Sequence, residues 1–171
     1  FYLCKSLESV DIDGTFETIP ILCFGRCTNL KTVIIRSQTV TKIDAGAFQD
    51  CTKLSSLTLP DNILNLEAHV FSRCELLKQV TLPTELQEIH HGAFHGCIAL
   101  DSISFEGCPA VTTISAYVFR NCTSLSGVGL SENIKTIEWR AFENCTKLNS
   151  DYLKTQDTSK AITFCGSEYE T

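Results

Sequence analysis

The side chains best equipped for chemistry in this chain are ten cysteines and a cluster of four histidines. Seven cysteines (Cys4, Cys27, Cys51, Cys74, Cys97, Cys122 and Cys145) stand three places after Phe1, Phe24, Phe48, Phe71, Phe94, Phe119 and Phe142. Successive members of the column lie 23, 24, 23, 23, 25 and 23 residues apart. Zinc needs four ligands converging on a tetrahedron. A straight column supplies at most two from adjacent repeats, and the chain has no Cys-x-x-Cys. Stacked repeats would bring the Cα atoms to about 5 Å, inside disulfide range, but parallel Cβ vectors oppose the bond. The column therefore reads as a reduced structural ladder of small buried hydrophobes. Cys23 precedes Phe24 in a small-residue position and is expected to be packed. Cys108 lies in an irregular stretch and is the expected place for an exposed reactive thiol or a disulfide. The redox compartment stays open, since an intact ladder suits a reducing compartment or an anaerobe's surface.

His90, His91, His95 and nearby His69 form the histidine cluster, with Glu67 one repeat before His90. A metal or acid–base site is conceivable there; a solvated turn with a Glu–His contact is the expected outcome. No glycine-rich phosphate loop and no nucleophile elbow is present. Asn121-Cys122-Thr123 and Asn144-Cys145-Thr146 match the N-glycosylation sequon. The favoured reading is turn chemistry, because Thr28 and Thr52 also follow ladder cysteines. Trp139 reads equally as an exposed aromatic anchor or as packing for the C-terminal segment.

A fixed period in the twenties marks a stacked solenoid. Aligned on the cysteines, Leu7, Leu30, Leu54, Leu77, Leu100, Leu125 and Leu148 form one column. Val10, Val33, Leu57, Val80, Ile103 and Val128 form the next, and Ile12, Ile35, Leu59, Leu82, Phe105 and Leu130 a third. The last two alternate with mostly polar neighbours, the period of a strand with one buried face. Stacked at about 4.8 Å, such strands build a parallel sheet. Two further columns, Phe16, Val40, Ile63, Leu86, Val111, Ile134 and Ile19, Ile43, Leu66, Ile89, Ile114, Ile137, predict a short extended segment closing the back of each coil. A small residue beside each phenylalanine, as in Ala47-Phe48, predicts a tight helical or 3₁₀ turn, with Asp44 and Ser115 as candidate caps.

The pattern Cys-x-x-Leu-x-x-Val-x-Leu-Pro…Val-x-x-Ile-x-x-x-Ala-Phe-x-x-Cys resembles the BspA-like leucine-rich repeat, the 23-residue class of bacterial and protist surface proteins. The resemblance covers roughly residues 1–148 and implies a leucine-rich-repeat solenoid of six full repeats, with a parallel sheet on one face. It also implies adhesion to matrix or host proteins, and it brings no catalytic motif and no cofactor. Two departures stand out. The fifth repeat has two extra residues, in Glu106-Gly107-Cys108-Pro109, which predict a bulged loop. After Leu148 the pattern fails, and 149–171 reads as a C-terminal cap or a frayed tail.

Net charge is −6, which disfavours nucleic acid as a partner. No apolar run of membrane-spanning length occurs, so no insertion by this segment is expected. The chain starts in the tail of a repeat and has no methionine, so it is expected to be cut from a longer array. A solenoid works through a surface assembled from many repeats. The outward strand positions include Asp11, Ile34, Thr58, Thr81, Ser104 and Gly129, flanked by residues such as Arg36 and Glu106. This small, hydroxyl-rich face lacks the anchors of a tight interface. The expected role is a non-enzymatic recognition or adhesion module, extracellular or on the cell surface, with a protein partner held weakly and multivalently. The alternative is an intracellular scaffold, a subunit of a larger assembly.

Overall fold

The computed structural model describes residues 1–149 and the backbone of 163–164. The chain winds in coils that begin at the ladder cysteines: coil 1 at Cys4, coil 2 at Cys27, coil 3 at Cys51, coil 4 at Cys74, coil 5 at Cys97 and coil 6 at Cys122. In chain order the strands are β1 (Ser9–Ile12), β2 (Thr18–Ile19), β3 (Thr32–Ile35), β4 (Lys42–Ile43), β5 (Ser56–Thr58) and β6 (Asn65–Leu66). They continue with β7 (Glu88–Ile89), β8 (Ser102–Ser104), β9 (Thr113–Ile114), β10 (Gly127–Gly129), β11 (Thr136–Ile137) and β12 (Thr163–Phe164). Strands β1, β3, β5, β8 and β10 form the front wall; the rest form the back wall. Every pairing is parallel, and those among β1 to β11 are column-matched, for instance Val10 with Val33 and Ile12 with Ile35. The period-2 alternation turns Val33 and Ile35 inward and leaves Thr32 and Ile34 half-exposed.

Between the walls runs one continuous core. Leu30, Leu54, Leu77, Leu100 and Leu125 are fully buried, as are Phe48, Phe71, Phe94 and Phe119. The seven phenylalanine rings stack nearly parallel, with successive centroids 5.2 to 5.7 Å apart. One ring per coil makes a column of stacked aromatic pairs through the core.

The turn before each cysteine is not helical. It is a run of hydrogen-bonded β-turns, such as Ala93 N to His90 O at 3.2 Å, His95 N to Gly92 O at 3.0 Å and Cys97 N to Phe94 O at 3.1 Å. The residue preceding each ladder cysteine (Leu3, Arg26, Asp50, Arg73, Gly96, Asn121, Asn144) has φ between 58° and 72°. Leu22, Gly46, His69, Gly92, Tyr117 and Arg140, four places earlier, lie between 54° and 62°. A left-handed residue at every fourth position stops a helix from propagating. Asp44 and Ser115 therefore cap no helix; Asp44 instead accepts from Lys42 Nζ at 3.0 Å.

The same left-handed residues help turn alternate N–H groups out of the turn and onto the next coil. Phe71 N donates to Ala93 O at 2.8 Å, Phe94 N to Val118 O at 2.9 Å and Phe119 N to Ala141 O at 2.8 Å. These bonds make a third ladder, a turn ridge. In it the earlier coil donates to the later one, whereas the walls carry bonds in both directions: Lys31 N donates back to Glu8 O at 2.8 Å and Phe105 N forward to Gly129 O at 2.7 Å.

The walls are interrupted and the ridge is not. In the front, β1-β3-β5 and β8-β10 are separate sheets, with no strand in coil 4 between them. Arg36 N donates to Ile12 O at 2.8 Å at the end of the coil 2 strand. Pro60 and Pro83 stand at that position in coils 3 and 4 and have no N–H to donate. In the back, β2-β4-β6-β7 and β9-β11-β12 are separate, so the break falls between coils 4 and 5. Coil 5 is the one lengthened by two residues.

Those extra residues bear on Cys108. Glu106, Gly107 and Pro109 are exposed, as the predicted bulge requires, but Cys108 turns inward and is 1% exposed. Its Sγ donates to Pro83 O at 3.4 Å, and burial pushes its thiol up. The expectation of an exposed reactive thiol there is corrected. Apart from Asn149 and β12, which extends the back wall beyond β11, the expected cap or tail over 149–171 lies outside the described residues.

Candidate binding surface

The front wall presents the strand positions that point away from the core. Asp11, Arg36, Thr58, Thr81, Ser104 and Glu106 are exposed there, and Ile34 is half-exposed. Asp11 and Arg36 come together, with Arg36 Nε 2.9 Å and 3.0 Å from the two carboxylate oxygens. Both side chains are more than half exposed, so water screens the pair and it orients more than it stabilises. Ser104 Oγ accepts from Glu106 N at 3.3 Å. Gly129 leaves Ser104 uncovered, since a Cβ there would lie 2.5 Å from Ser104 Oγ. Thr58 and Thr81 do not share a strand ladder, because the front break falls between them. An open hollow of about 550 Å³ lies there, lined by Ser55, Ser56, Leu57, Lys78, Gln79, Thr81 and Asp101.

The ladder cysteines are buried and unbridged from Cys27 to Cys145, while Cys4 is exposed. Each buried thiol donates to the carbonyl of the phenylalanine one turn earlier than its own. Cys27 Sγ reaches Phe1 O at 3.1 Å, Cys51 reaches Phe24 O at 3.1 Å and Cys74 reaches Phe48 O at 3.3 Å. Cys97, Cys122 and Cys145 repeat the contact to Phe71, Phe94 and Phe119 at 3.2, 3.2 and 3.0 Å. Burial pushes Cys51, Cys97 and Cys145 up to about 12 and moves Cys74 and Cys122 in the same direction. A protonated thiol is neither a nucleophile nor a metal ligand. Half-buried Cys23 is raised by the same cause.

The histidines divide between two places. His90 sits on the back wall, its Nε2 3.0 Å from Glu88 and 3.9 Å from Glu67, and Glu67 also binds Lys42 Nζ at 3.0 Å. The expected Glu–His contact is present, with Glu88 as the nearer partner. The other three lie on the turn ridge. There His69, His91, Tyr117 and Trp139 interlock edge to face, with centroids 5.0, 5.0 and 5.1 Å apart. Arg120 lies over Tyr117 at 5.2 Å and Arg140 over Trp139 at 4.1 Å, leaving Trp139 39% exposed. This row was not read from the sequence. Its signal lies in two adjacent columns taken together. Ala68-His69, His91-Gly92 and Ala116-Tyr117 swap small and large between coils, so the rings interleave. Among the described residues, no three His, Cys, Asp or Glu side chains converge to hold a metal.

Asn121 and Asn144 are joined to this ridge. Asn144 Nδ2 donates to Asn121 Oδ1 at 2.8 Å, and Asn121 Nδ2 lies 3.2 Å from His95 Nε2. Both asparagines occupy the left-handed position before a ladder cysteine, which Asn tolerates better than most residues.

The repeat geometry has a counterpart in sequence space. The family model for the BspA type leucine rich repeat region matches residues 1–108 and 106–167, in six copies. The chain belongs to the BspA-type leucine-rich-repeat family. The fold is shared with solved members of the repeat class. A leucine rich repeat protein of T. pallidum is 26% identical with a TM-score of 0.83, over 96% of this chain and 77% of that one. A leucine rich cell surface protein of Faecalibacterium prausnitzii is 29% identical with a TM-score of 0.63, over 80% of this chain. A leucine-rich repeat protein of Bacteroides ovatus is 26% identical with a TM-score of 0.70, over 83% of this chain and 44% of that one. This BspA-type chain spans 34% of the length of the Faecalibacterium protein. No curated protein matches it. No helix among the described residues is long and apolar enough to cross a membrane.

Proposed function

We propose that this BspA-type solenoid is a non-enzymatic protein-recognition and adhesion module of a cell-surface or secreted protein. It binds through its front wall. The observation that carries the reading is the exposed row Asp11, Arg36, Thr58, Thr81, Ser104 and Glu106 on a solenoid with a continuous core. A similar protein from Faecalibacterium prausnitzii is described as a cell surface protein, which supports the location. The partner class is a matrix, host or other cell-surface protein. Small hydroxyl side chains make each contact weak, and several repeats acting together supply the strength.

The reading predicts that Thr58→Lys, Thr81→Lys and Ser104→Lys together lower binding to immobilised matrix or host-surface proteins at least about tenfold. Gln87→Lys with Thr112→Lys, both exposed away from the front wall, leaves binding unchanged. Circular dichroism confirms that each variant is folded. Equal losses in the two sets would sink the front-wall assignment.

The unbridged thiols favour a second reading, an intracellular scaffold within a larger assembly. Protease shaving of intact cells separates the two, since a surface protein is removed and a scaffold is spared.

A further inference from the structure

Coil 4 is held differently from every other coil. The front wall breaks before it and the back wall breaks after it. Among the described residues, the backbone bonding of the walls at its junction with coil 5 is the Gln79–Ser102 bridge and Asp101 N to Lys78 O at 3.0 Å. The turn ridge supplies the rest of the backbone bonding. Gly92 N donates to Ala116 O at 3.1 Å, Phe94 N to Val118 O at 2.9 Å and Gly96 N to Arg120 O at 2.8 Å. A bond between polar side chains reinforces the ridge here, between His95 of coil 4 and Asn121 of coil 5, beside the Cys122 Sγ contact to Phe94 O.

The direction of that bond is settled by chemistry. An amide nitrogen only donates, and Asn121 Oδ1 is occupied by Asn144. The imidazole Nε2 must therefore accept, which requires neutral His95. A protonated imidazole donates at both nitrogens and would face Asn121 donor against donor.

We propose that the junction between coils 4 and 5 is an acid-sensitive hinge, with His95 as its latch. The surroundings of His95 oppose a positive charge. His91 shares its turn, His69 and Arg73 face it from the preceding turn, and Arg120 faces it from the following one. Arg73 is engaged by Asp50 at 3.2 Å and Glu75 at 3.8 Å, and Arg120 by Glu143. Partial burial first, then Arg120, His69, Arg73 and His91, hold the imidazole below its ordinary value of 6.5. A depressed histidine pKa means that the opened state binds more protons than the closed one. The hinge is therefore closed above 6.5, loosens as pH falls through that value, and changes no further once the folded imidazole is also protonated.

Hydrogen exchange of the whole chain, expressed as protection factors at about pH 7.5 and pH 5.5 on either side of the imidazole range, tests the proposal. The amides of Gly92, Phe94 and Gly96 should lose at least about tenfold in protection on acidification. Those of Gly46, Phe48 and Asp50, which bridge coils 2 and 3, should hold. His95→Gln keeps an acceptor that cannot be protonated, and should abolish the loss. Asn121→Asp places a carboxylate against the ring, and should reverse its sign. A loss that persists in His95→Gln, a loss equal at coils 2 and 3, or no loss in the parent overturns the proposal. If Asn121→Asp does not fold, His95→Gln decides alone.

Discussion

A ladder thiol keeps its proton chiefly because it is shut away from water, and the thiols above and below discourage ionisation further. At pH 8 a group titrating at about 12 is ionised in roughly one molecule in ten thousand, so alkylation should be very slow. Iodoacetamide should modify Cys4 quickly, Cys23 more slowly, and Cys27 to Cys145 together with Cys108 only in denaturant, as peptide mapping would report. Fast labelling of Cys97 in the folded chain would contradict this account. Burial of the column was legible because seven cysteines share one register with the phenylalanines. The acceptor was not, since a carbonyl 26 residues away from Cys97 leaves no mark on the column. Cys108 was misjudged for a physical reason. An insertion looks like an outward loop, yet here one of its residues gained more by burial than by exposure.

The turn is the element whose form surprised. A small residue beside a large ring suits a helical turn, and the actual turns hide their left-handed positions behind arginine, histidine and leucine as well as glycine and asparagine. Asn121, Asn144, Asp50 and Gly96, all directly before ladder cysteines, were the visible trace. Gly92 shows what the element requires. Its φ is 62° and a Cβ would lie 2.6 Å from the His69 ring, whereas Tyr117 and Arg140 carry side chains at the same turn position. Gly92→Ala should therefore cost about 1–3 kcal/mol in urea unfolding, part from the backbone and part from displacing the imidazole. Combining it with His69→Ala should recover the second part. Strict additivity of the two changes would show that the ring is not in the way.

Across the molecule, the coil count, the parallel register and the continuous core were readable from columns that repeat with little error. The two breaks were not. Val80 and Leu82 keep the column pattern through coil 4, so the front wall reads as unbroken. A column records which side chains are buried and is silent about a missing N–H at Pro60 or Pro83. The three ladders have a mechanical consequence. Their bonds all run along the solenoid axis, so tension applied at the two ends is carried by successive coils in series. Such a chain parts first at its thinnest cross-section, whichever link lies nearest the hand that pulls. Coil 3 grips coil 4 by the back wall and the ridge, and coil 5 grips it by one front bridge and the ridge, so the first rupture in an optical-trap pull should release chain from the middle of the array. Rupture beginning in coils 1 and 2, which both walls and the ridge join, would show that the breaks do not weaken the rod.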